Sequence, residues 1–400
     1  MNWLSKDGKI ILANRAIRSV GHGFLAILFG IYLKEIGFQP FHIGLLLSIT
    51  LVGSSVFTII SSRLAVKYGI RRMLIISLIL SVIGLSLYLI TTTLFILIIG
   101  AAIAFLSPTG RELGPFLSLD QSYLPHTADA KHRTKIFSIY NIIAAGASSI
   151  GFLFASLPVL LQNLGIEKIL SFKLMFLLYI TINIISIVLY SKIAEIKFPE
   201  AKKVTLTPRT KKLVARLCIL YGFDSFAGGF IVASIVSLWF NSKYNMAVST
   251  ISILFFITGL LEAVSFYISH KITEKIGCIK TMAYTHLVSN IFLIALPFAP
   301  TAAIAVIIYT IHKLFAQMDV PPRQSYIVAI VEPEEKTTAA SYTNVTKILA
   351  SSVGPTISGG LLLTTAFSPF IFAGVIKSVY DIALLISFGK IKPPEEETKI

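Results

Sequence analysis

Long apolar runs separated by short polar stretches dominate the chain. Each run has roughly the 20 mainly apolar residues that an α-helix needs to cross the hydrocarbon core of a bilayer. We number them as spans 1 to 12: 16–35, 42–62, 73–92, 94–116, 136–157, 172–191, 213–240, 246–270, 281–299, 301–320, 339–363 and 368–388. The pattern predicts an all-α membrane protein, because no ten-residue alternation of a transmembrane barrel competes with it.

Composition and charge support this class. Of the 400 residues, 55% are hydrophobic and 14% are charged. The net charge of +16 follows topology, since 25 of the 35 Lys and Arg residues lie at the two termini and in alternate loops, against two in the loops of the other side. The positive-inside rule therefore places both termini in the cytoplasm of a multi-pass protein of the cell (plasma) membrane. We expect a lipid bilayer as surroundings and no nucleic-acid partner.

Other chemistry is weakly represented. Cys218 and Cys278 form no metal-binding or redox spacing, and the seven histidines are scattered. No nucleophile, base or metal-ligand spacing indicates catalysis, and no phosphate-binding glycine loop is present. The N-terminus has no cleavable signal pattern. We therefore expect a protein without cofactor or metal that is not an enzyme.

An internal repeat divides the chain into two halves. A shift of 203 positions aligns 121–151 with 324–354, with ten of 31 positions identical, including a Gln-Ser-Tyr triplet in each copy. The copies follow spans 4 and 10, so each half contains six spans in the same orientation, as in parallel transporter repeats. We predict an N-terminal bundle over 1–196, a cytoplasmic linker over 197–212 and a C-terminal bundle with a short cytoplasmic tail over 213–400.

A second motif lies between spans 2 and 3 and again between spans 8 and 9. The first copy is SSRLAVKYGIRRM and the second is SHKITEKIGCIKTM. With the repeat, these loops resemble the major facilitator superfamily of secondary transporters, whose fold has two pseudo-symmetric six-helix bundles. The matching positions are Leu64, Lys67, Gly69, Arg71 and Arg72 in the first copy, and Glu274, Lys275 and Gly277 in the second.

One departure from the family pattern concerns the acidic position of the first loop motif, which is Val66 here. In the family, that carboxylate is understood to hold the loop in one conformation. We therefore expect other contacts to hold the loop in this half. Span 5 also lacks the proline of the family's drug exporters, which weakens a specific assignment to drug and proton antiport.

Ionisable and amide side chains inside the spans are candidates for proton coupling or substrate binding, because such groups are costly in a bilayer. Asp224 in span 7 is expected to be protonated or paired with a cation such as Arg18. Lys377 and Asp381, four residues apart, are expected to neutralise each other. The candidate set is Asp224, Glu262, Arg18, His22, Asn141, Asn344 and Lys313. For each, a static structural role is the alternative.

The segments before the two Gln-Ser-Tyr triplets suggest a cytoplasmic gate. The resemblance implies that spans 4, 5, 10 and 11 form such a gate, and the shift of 203 aligns Asp120 with Arg323. We predict a latch between these opposite charges. Local pairing of each charge within its own segment is the alternative. The predicted gate residues are Arg111, Glu112, Asp120, Asp319 and Arg323.

These observations predict a monomeric secondary active transporter that moves a small molecule by alternating access. Protons are favoured as the coupling ion, because carboxylates lie in the spans. The resemblance implies that spans 1, 4, 7 and 10 line a central cavity, and their apolar residues favour export of amphipathic or hydrophobic compounds. Two alternatives stay open, namely uptake of a polar nutrient or organic anion, and a non-transporting membrane sensor with the same fold.

Overall fold

The computed structural model describes residues 4–128, 133–196, 206–332 and 335–391. These residues form sixteen α-helices, joined by short turns. They are α1 (Lys6–Glu35), α2 (Pro40–Tyr68), α3 (Ile70–Ile90), α4 (Leu94–Ala104), α5 (Pro115–Tyr123), α6 (Arg133–Phe154), α7 (Leu157–Asn163), α8 (Lys168–Tyr190), α9 (Pro208–Gly229), α10 (Ala233–Tyr244), α11 (Val248–Ile276), α12 (Cys278–Ala295), α13 (Ala302–Ala316), α14 (Val320–Ala329), α15 (Lys336–Thr364) and α16 (Ser368–Phe388).

The predicted all-α membrane class is confirmed. Within the described residues, ten helical stretches are long and apolar enough to cross a membrane. Spans 5, 7 and 10 each consist of two consecutive helices, α6 with α7, α9 with α10 and α13 with α14. Span 4 corresponds to the short apolar helix α4 together with α5, and span 11 corresponds to α15.

Span 4 is the largest correction to the predicted boundaries. We expected one helix over 94–116, whereas α4 ends at Ala104 and α5 begins only at Pro115. Phe105 takes a left-handed conformation (φ 50°), and Gly110 and Gly114 have φ values of 79° and 90°. Such conformations end a helix. The intervening stretch is tolerated at membrane depth because protein surrounds most of it.

Spans 7 and 10 have shorter interruptions. The helix that begins span 7 ends at Gly229, and α10 begins at Ala233. In span 10, residues 317–319 separate α13 from α14, whose first turn contains Pro321 and Pro322. Proline fits the first turn of a helix because the main-chain N–H groups there have no helical acceptor. A helix break therefore precedes the second Gln-Ser-Tyr triplet, as one precedes the first.

Contacts divide the chain into two units. The first unit contains Met1–Ala201 and Val232–Gly259, and the second contains Lys202–Ile231 and Leu260–Ile400. We call them the first and second halves below. Residues 232–259, which the sequence analysis assigned to the C-terminal bundle, therefore belong to the first half by their contacts. Most of the predicted linker, 197–205, and Asp129 of the repeat lie outside the described residues.

Helix α1 is the centre of the first half and packs closely against α6. A methyl group added at Gly23 would lie 2.3 Å from the carbonyl oxygen of Ser148, and one at Gly151 would lie 2.2 Å from that of Val20. Small residues at such positions let two helix backbones approach closely, which is how membrane helices gain packing energy.

The second half repeats this contact between α9 and α15. A methyl group at Gly229 would lie 2.4 Å from the carbonyl oxygen of Ser351, and one at Gly354 would lie 2.5 Å from Gly229. Gly23 thus corresponds to Gly229, a shift of 206, whereas Gly151 corresponds to Gly354 at the shift of 203. The duplicated sequence therefore makes the same helix contact twice.

The tyrosines of the two Gln-Ser-Tyr triplets have matching roles. The hydroxyl of Tyr123 contacts Asp7 Oδ2 (2.7 Å) and the carbonyl oxygen of Ala194 (2.9 Å), just after α8. The hydroxyl of Tyr326 donates to the carbonyl oxygen of Ile391 (3.1 Å), just after α16. Both side chains are buried. Each triplet therefore holds the chain that leaves the last helix of its half.

The acid that the first loop motif lacks comes from another part of the same half. Glu195 accepts a hydrogen bond from the main-chain N–H of Arg71 (2.9 Å). Its second carboxylate oxygen lies 3.6 Å from Arg71 Nε and 3.8 Å from Arg72 Nε. A carboxylate at the first turn of α3 also interacts favourably with the helix dipole. In the second copy, Glu274 lies 3.6 Å from the exposed His270.

Gly151→Ala tests the close approach of α1 and α6. The added methyl would overlap the backbone of Val20, so we expect a loss of about 1–3 kcal/mol in stability. Gly146→Ala on the same helix is the control, because a methyl there meets nothing within 4 Å and alanine favours helix. Thermal unfolding of both purified variants in detergent measures the difference. Equal melting temperatures would refute the packing argument.

Glu195→Gln tests the substitute for the missing acid. The variant loses the charge beside Arg71 and Arg72 and should be less stable by about 1 kcal/mol. Glu274→Gln is the matched control, because its His270 contact is exposed and we expect almost no change. Thermal unfolding in detergent at low and high salt measures both. A larger effect for Glu274→Gln would contradict the assignment.

Candidate functional site

A buried charge cluster lies in the first half around Arg18 of α1. Arg18 Nη2 is 2.8 Å from Asp120 Oδ2, and Arg18 Nε is 2.7 Å from Glu112 Oε1. Arg15, one turn earlier, also forms an ion pair with Glu112. All four side chains are buried. The interrupted span 4 makes this possible, because Glu112 lies in its irregular stretch and Asp120 lies in α5.

Aromatic side chains complete the first-half cluster. Tyr190 of α8 donates to Asp120 Oδ1 (2.7 Å), and Tyr140 of α6 donates to Asp120 Oδ2 (3.2 Å). The guanidinium of Arg18 lies 4.8 Å from the ring centroid of Phe116. These contacts use the hydrogen-bonding capacity of the buried carboxylate and stabilise the cation, as buried charges require.

His22 borders this cluster. Its Nε2 is 3.0 Å from the Tyr179 hydroxyl and 3.8 Å from Glu112 Oε1. The side chain is fully buried. The hydroxyl contact therefore joins α1 to α8, and the transport role of His22 stays a prediction.

The second half has its own cluster around Asp224 of α9. Asp224 Oδ2 is 2.9 Å from Arg323 Nη1, and Asp224 Oδ1 is 2.6 Å from Lys377 Nζ. Arg323 also forms an ion pair with Asp319, which precedes α14. Asp224 and Asp319 are buried. The carboxylate of Asp224 thus has one cation on each oxygen.

A histidine links this cluster to a further acid. His286 Nδ1 of α12 is 2.9 Å from Asp381 Oδ1 of α16, and Asn290 donates to Asp381 Oδ2 (2.8 Å). On the other side of the ring, His286 Nε2 lies 3.8 Å from Asp224 Oδ1. His286 therefore lies between two carboxylates. Lys377 and His286 both lie next to the same oxygen of Asp224, Oδ1.

The two clusters are related by the repeat with their charges reversed. The shift of 206 that aligns Gly23 with Gly229 also aligns Arg18 with Asp224. The shift of 203 aligns Asp120 with Arg323. In each half, a buried ion pair therefore joins the first helix to the helix that follows the break in the fourth span. The basic and acidic partners are exchanged between the two halves.

The structure corrects two predicted pairings. Asp224 is paired as expected, but its cations are Arg323 and Lys377 and not Arg18. Lys377 and Asp381 do not neutralise each other as predicted, since Asp381 contacts His286 and Asn290. The physical reason is that the carboxylates reach inward to neighbouring helices, where an unpaired charge would be costly.

Both members of the predicted latch have ion partners in their own halves, Asp120 with Arg18 and Arg323 with Asp224. Their gating role stays a prediction. Among the other candidates, Arg111, Asn141 and Asn344 are exposed, and Glu262 and Lys313 are half-buried. No group of histidine, cysteine and acidic residues suited to a metal ion occurs within the described residues.

Sequence reasoning missed several members of the clusters. Arg15 precedes Arg18 by three residues and therefore lies on the same helix face, which was a usable signal. Tyr140 and Tyr190 gave no signal, because tyrosine in an apolar span is common. His286 and Asp381 were not among the candidates, because a lone histidine in a span is more often a core residue and Asp381 was expected to pair with Lys377.

Comparison with known proteins identifies the family. The model of the Major Facilitator Superfamily matches residues 11–312 and 217–400. The chain belongs to this superfamily. The two-bundle layout predicted from the repeat is the layout of this family's fold.

Its sequence relatives include a yeast protein and a bacterial protein. The uncharacterized membrane protein YJR124C of Saccharomyces cerevisiae is 24% identical over 96% of this chain and 94% of that protein. The uncharacterized MFS-type transporter YceJ of Bacillus subtilis is 26% identical over 34% of this chain and 35% of that protein.

Solved structures share the fold at low identity. A POT family peptide transporter has a TM-score of 0.75 at 11% identity and covers 97% of each chain. A D-xylose-proton symporter has a TM-score of 0.71 at 14% identity, covering 96% of this chain and 98% of the other.

Arg18→Gln tests the first-half cluster. Removal of one partner leaves buried carboxylates uncompensated, so we expect about 3–5 kcal/mol of destabilisation. The double variant Arg18→Gln with Asp120→Asn removes one charge of each sign and should be more stable than Arg18→Gln alone. Thermal unfolding of the variants in detergent gives the coupling. Simple additivity of the two losses would show that the pair is not coupled.

Proposed function

We propose that this chain is a proton-coupled secondary active transporter of a small molecule, and that His286, Asp381 and Asp224 carry the coupling. The observation that supports this proposal is the position of His286, which lies 2.9 Å from Asp381 and 3.8 Å from Asp224. Histidine is a side chain whose ordinary titration lies near neutral pH. A proton at this site can therefore change how Asp224 is paired.

The mechanism follows from competition for one oxygen. In the structure, Lys377 Nζ lies 2.6 Å from Asp224 Oδ1. A proton on His286 places a second positive charge beside the same oxygen, so the imidazolium attracts Asp224 and repels Lys377. The change weakens the link between α9 and α16 and strengthens the link between α9 and α12. Alternating access needs such a shift between two arrangements of packed helices.

The first half supports this assignment by contrast. Its corresponding helix pair, α3 and α8, is joined by Asn183, whose amide donates to the Ser81 hydroxyl (3.1 Å). Neither of these groups titrates near neutral pH. Among the described residues of these two helix pairs, the histidine–aspartate contact therefore occurs in the second half alone, and we assign proton coupling to that contact.

The family and the fold are compatible with this function. One structural neighbour is named a D-xylose-proton symporter, so the fold accommodates proton-coupled transport of a small molecule. A monomer in the cell membrane with cytoplasmic termini, and export of amphipathic compounds, stay predictions. Tracer movement in proteoliposomes of known protein orientation measures the direction.

Asp381→Asn and His286→Gln test proton coupling. In proteoliposomes with an internal pH-sensitive dye, a chemically diverse compound panel is screened for substrate-driven proton flux through the unmodified protein. We expect at least a tenfold loss of that flux in either variant, because the proton has no site. Radiolabelled substrate exchange at equal pH on both sides should persist, since it needs no net proton movement.

Asn183→Ser in the first half is the matched control and should retain substrate-driven proton flux. Normal flux in both Asp381→Asn and His286→Gln would overturn the assignment of the coupling site. If no compound of the panel exchanges across the membrane, the sensor alternative gains support. Asp224→Asn is expected to abolish coupled transport while the protein still folds.

A further inference from the structure

Lys347 differs from the other charged side chains around Asp224. It is the twelfth residue of the 29-residue helix α15 and is half-buried, so it lies well inside the membrane span. Lys377 and Arg323 form ion pairs. Within the part of the chain that the structure describes, Lys347 has neither a hydrogen bond nor an ion pair. A lysine ammonium at membrane depth is costly without a partner.

We propose that Lys347 binds a small organic anion, and that this anion is the transported substrate or part of it. The proposal rests on the proposed transport function and adds the substrate's charge to it. The site it names consists of Lys347 and the two buried tyrosines Tyr221 and Tyr380. The ligand class is a carboxylate or a similar monoanion, whose negative charge supplies the missing partner.

Charge balance supports an anion. Lys347 lies in the electrostatic environment of Arg323, Asp319 and Asp224, and Lys377 joins them through Asp224. Three cations therefore face two carboxylates. The His286–Asp381 pair adds no net charge when it carries its proton. An excess of one positive charge remains, and a bound monoanion neutralises it.

The first half provides the comparison. Its cluster has two cations, Arg15 and Arg18, and two carboxylates, Glu112 and Asp120, which contact one another. That cluster is balanced without a ligand. At the position that corresponds to Lys347 under the shift of 203, the first half has Ala144. The unmatched charge is therefore a feature of the second half alone.

Two hydroxyl donors accompany the lysine. The hydroxyl groups of Tyr221 and Tyr380 are buried and make no hydrogen bond within the described residues. Both tyrosines share the electrostatic environment of Arg323 and Asp224 with Lys347. Buried hydroxyl groups without partners are rare in folded proteins. A carboxylate accepts several hydrogen bonds and would satisfy these donors.

Packing places Tyr221 next to the turn of α15 that contains Lys347. A methyl group at Gly222 would lie 3.5 Å from Thr346 Cγ2 and 4.0 Å from Ala350 Cβ. The two neighbours of Lys347 on that side of α15 therefore face the residue that follows Tyr221. The lysine and the tyrosine thus come from adjoining turns of two packed helices.

A structural role for Lys347 makes the opposite stability prediction. Asp319 Oδ1 is buried and accepts no hydrogen bond among the described residues, so it is the acid that a structural Lys347 would pair with. Loss of a structural partner would destabilise the protein. Loss of an uncompensated ligand-binding charge would stabilise the ligand-free protein, as is common when a binding residue is removed.

Lys347→Gln therefore gives a sharp test. The purified full-length protein in detergent, at mildly acidic pH, is titrated with benzoate while thermal unfolding is recorded. Benzyl alcohol and benzylamine serve as neutral and cationic analogues, and inorganic phosphate and chloride as small inorganic anions. We expect benzoate alone to raise the melting temperature of the unmodified protein. In Lys347→Gln, its apparent affinity should fall at least tenfold.

Lys280→Gln is the matched control, because Lys280 is exposed at the start of α12. It should retain the benzoate response, and Lys347→Arg should retain most of it. Without ligand, Lys347→Gln should melt at or above the temperature of the unmodified protein. A lower melting temperature together with an unchanged benzoate response would overturn the proposal and establish a structural lysine.

The outcomes separate this proposal from the transport function. Equal benzoate binding by the unmodified protein and Lys347→Gln removes Lys347 as the anion site but leaves proton coupling by His286 and Asp381 intact. Stabilisation by benzyl alcohol or benzylamine to the same extent removes the anion preference, and stabilisation by phosphate or chloride to the same extent removes the organic-anion assignment. Loss of proton flux in Asp381→Asn with normal benzoate binding supports both proposals, because the two sites are then distinct.

Discussion

The cost of charge inside the membrane is the constraint on which this structure depends. A buried ion needs a partner with good geometry, and the partners must be held in place by helices that pack tightly. The glycine contacts of α1 with α6 and of α9 with α15 supply that packing. Arg18 and Asp224 lie on these same helices, about a turn and a half before Gly23 and Gly229. Close backbone packing and charge pairing therefore support each other.

The interrupted spans show what the charge clusters require from the backbone. In a continuous helix, the direction of each side chain is fixed by its position along the helix. The irregular stretch 105–114 removes that restriction and brings Glu112 to the arginines of α1. Asp319 reaches Arg323 from the shorter interruption between α13 and α14. Helix breaks at membrane depth are typical of binding and coupling sites in transporters. In this chain, they serve first to assemble buried ion pairs.

The sequence predicted the fold well, because apolar runs, loop charge and a repeat each report topology directly. Apart from the interrupted spans 4, 5, 7 and 10, most helix ends lie within a few residues of the predicted spans. The exceptions are α1, which begins ten residues before span 1, and α2 and α11, which end six residues after spans 2 and 8. Of the site, the sequence identified Arg18, Glu112 and Asp224, whose charge is conspicuous in apolar spans. It identified Asp120 and Arg323 through the repeat, which aligns them. It did not identify their partners, since pairing depends on which helix faces meet. Glu195 shows the same limit, because it replaces the acid missing at Val66 from a distant position in the sequence.

Asymmetry between the halves is more informative about function than their similarity. The repeat explains the fold, the glycine contacts and the tyrosines of the Gln-Ser-Tyr triplets, all of which occur twice. The reversed ion pairs join corresponding helices in both halves. The first helix supplies the basic residue in the first half and the acidic residue in the second. The second half alone adds His286 with Asp381 and the unpaired Lys347. Groups that break a structural repeat at a cost in stability point to a role other than folding, and the proton and anion binding that we propose would account for both.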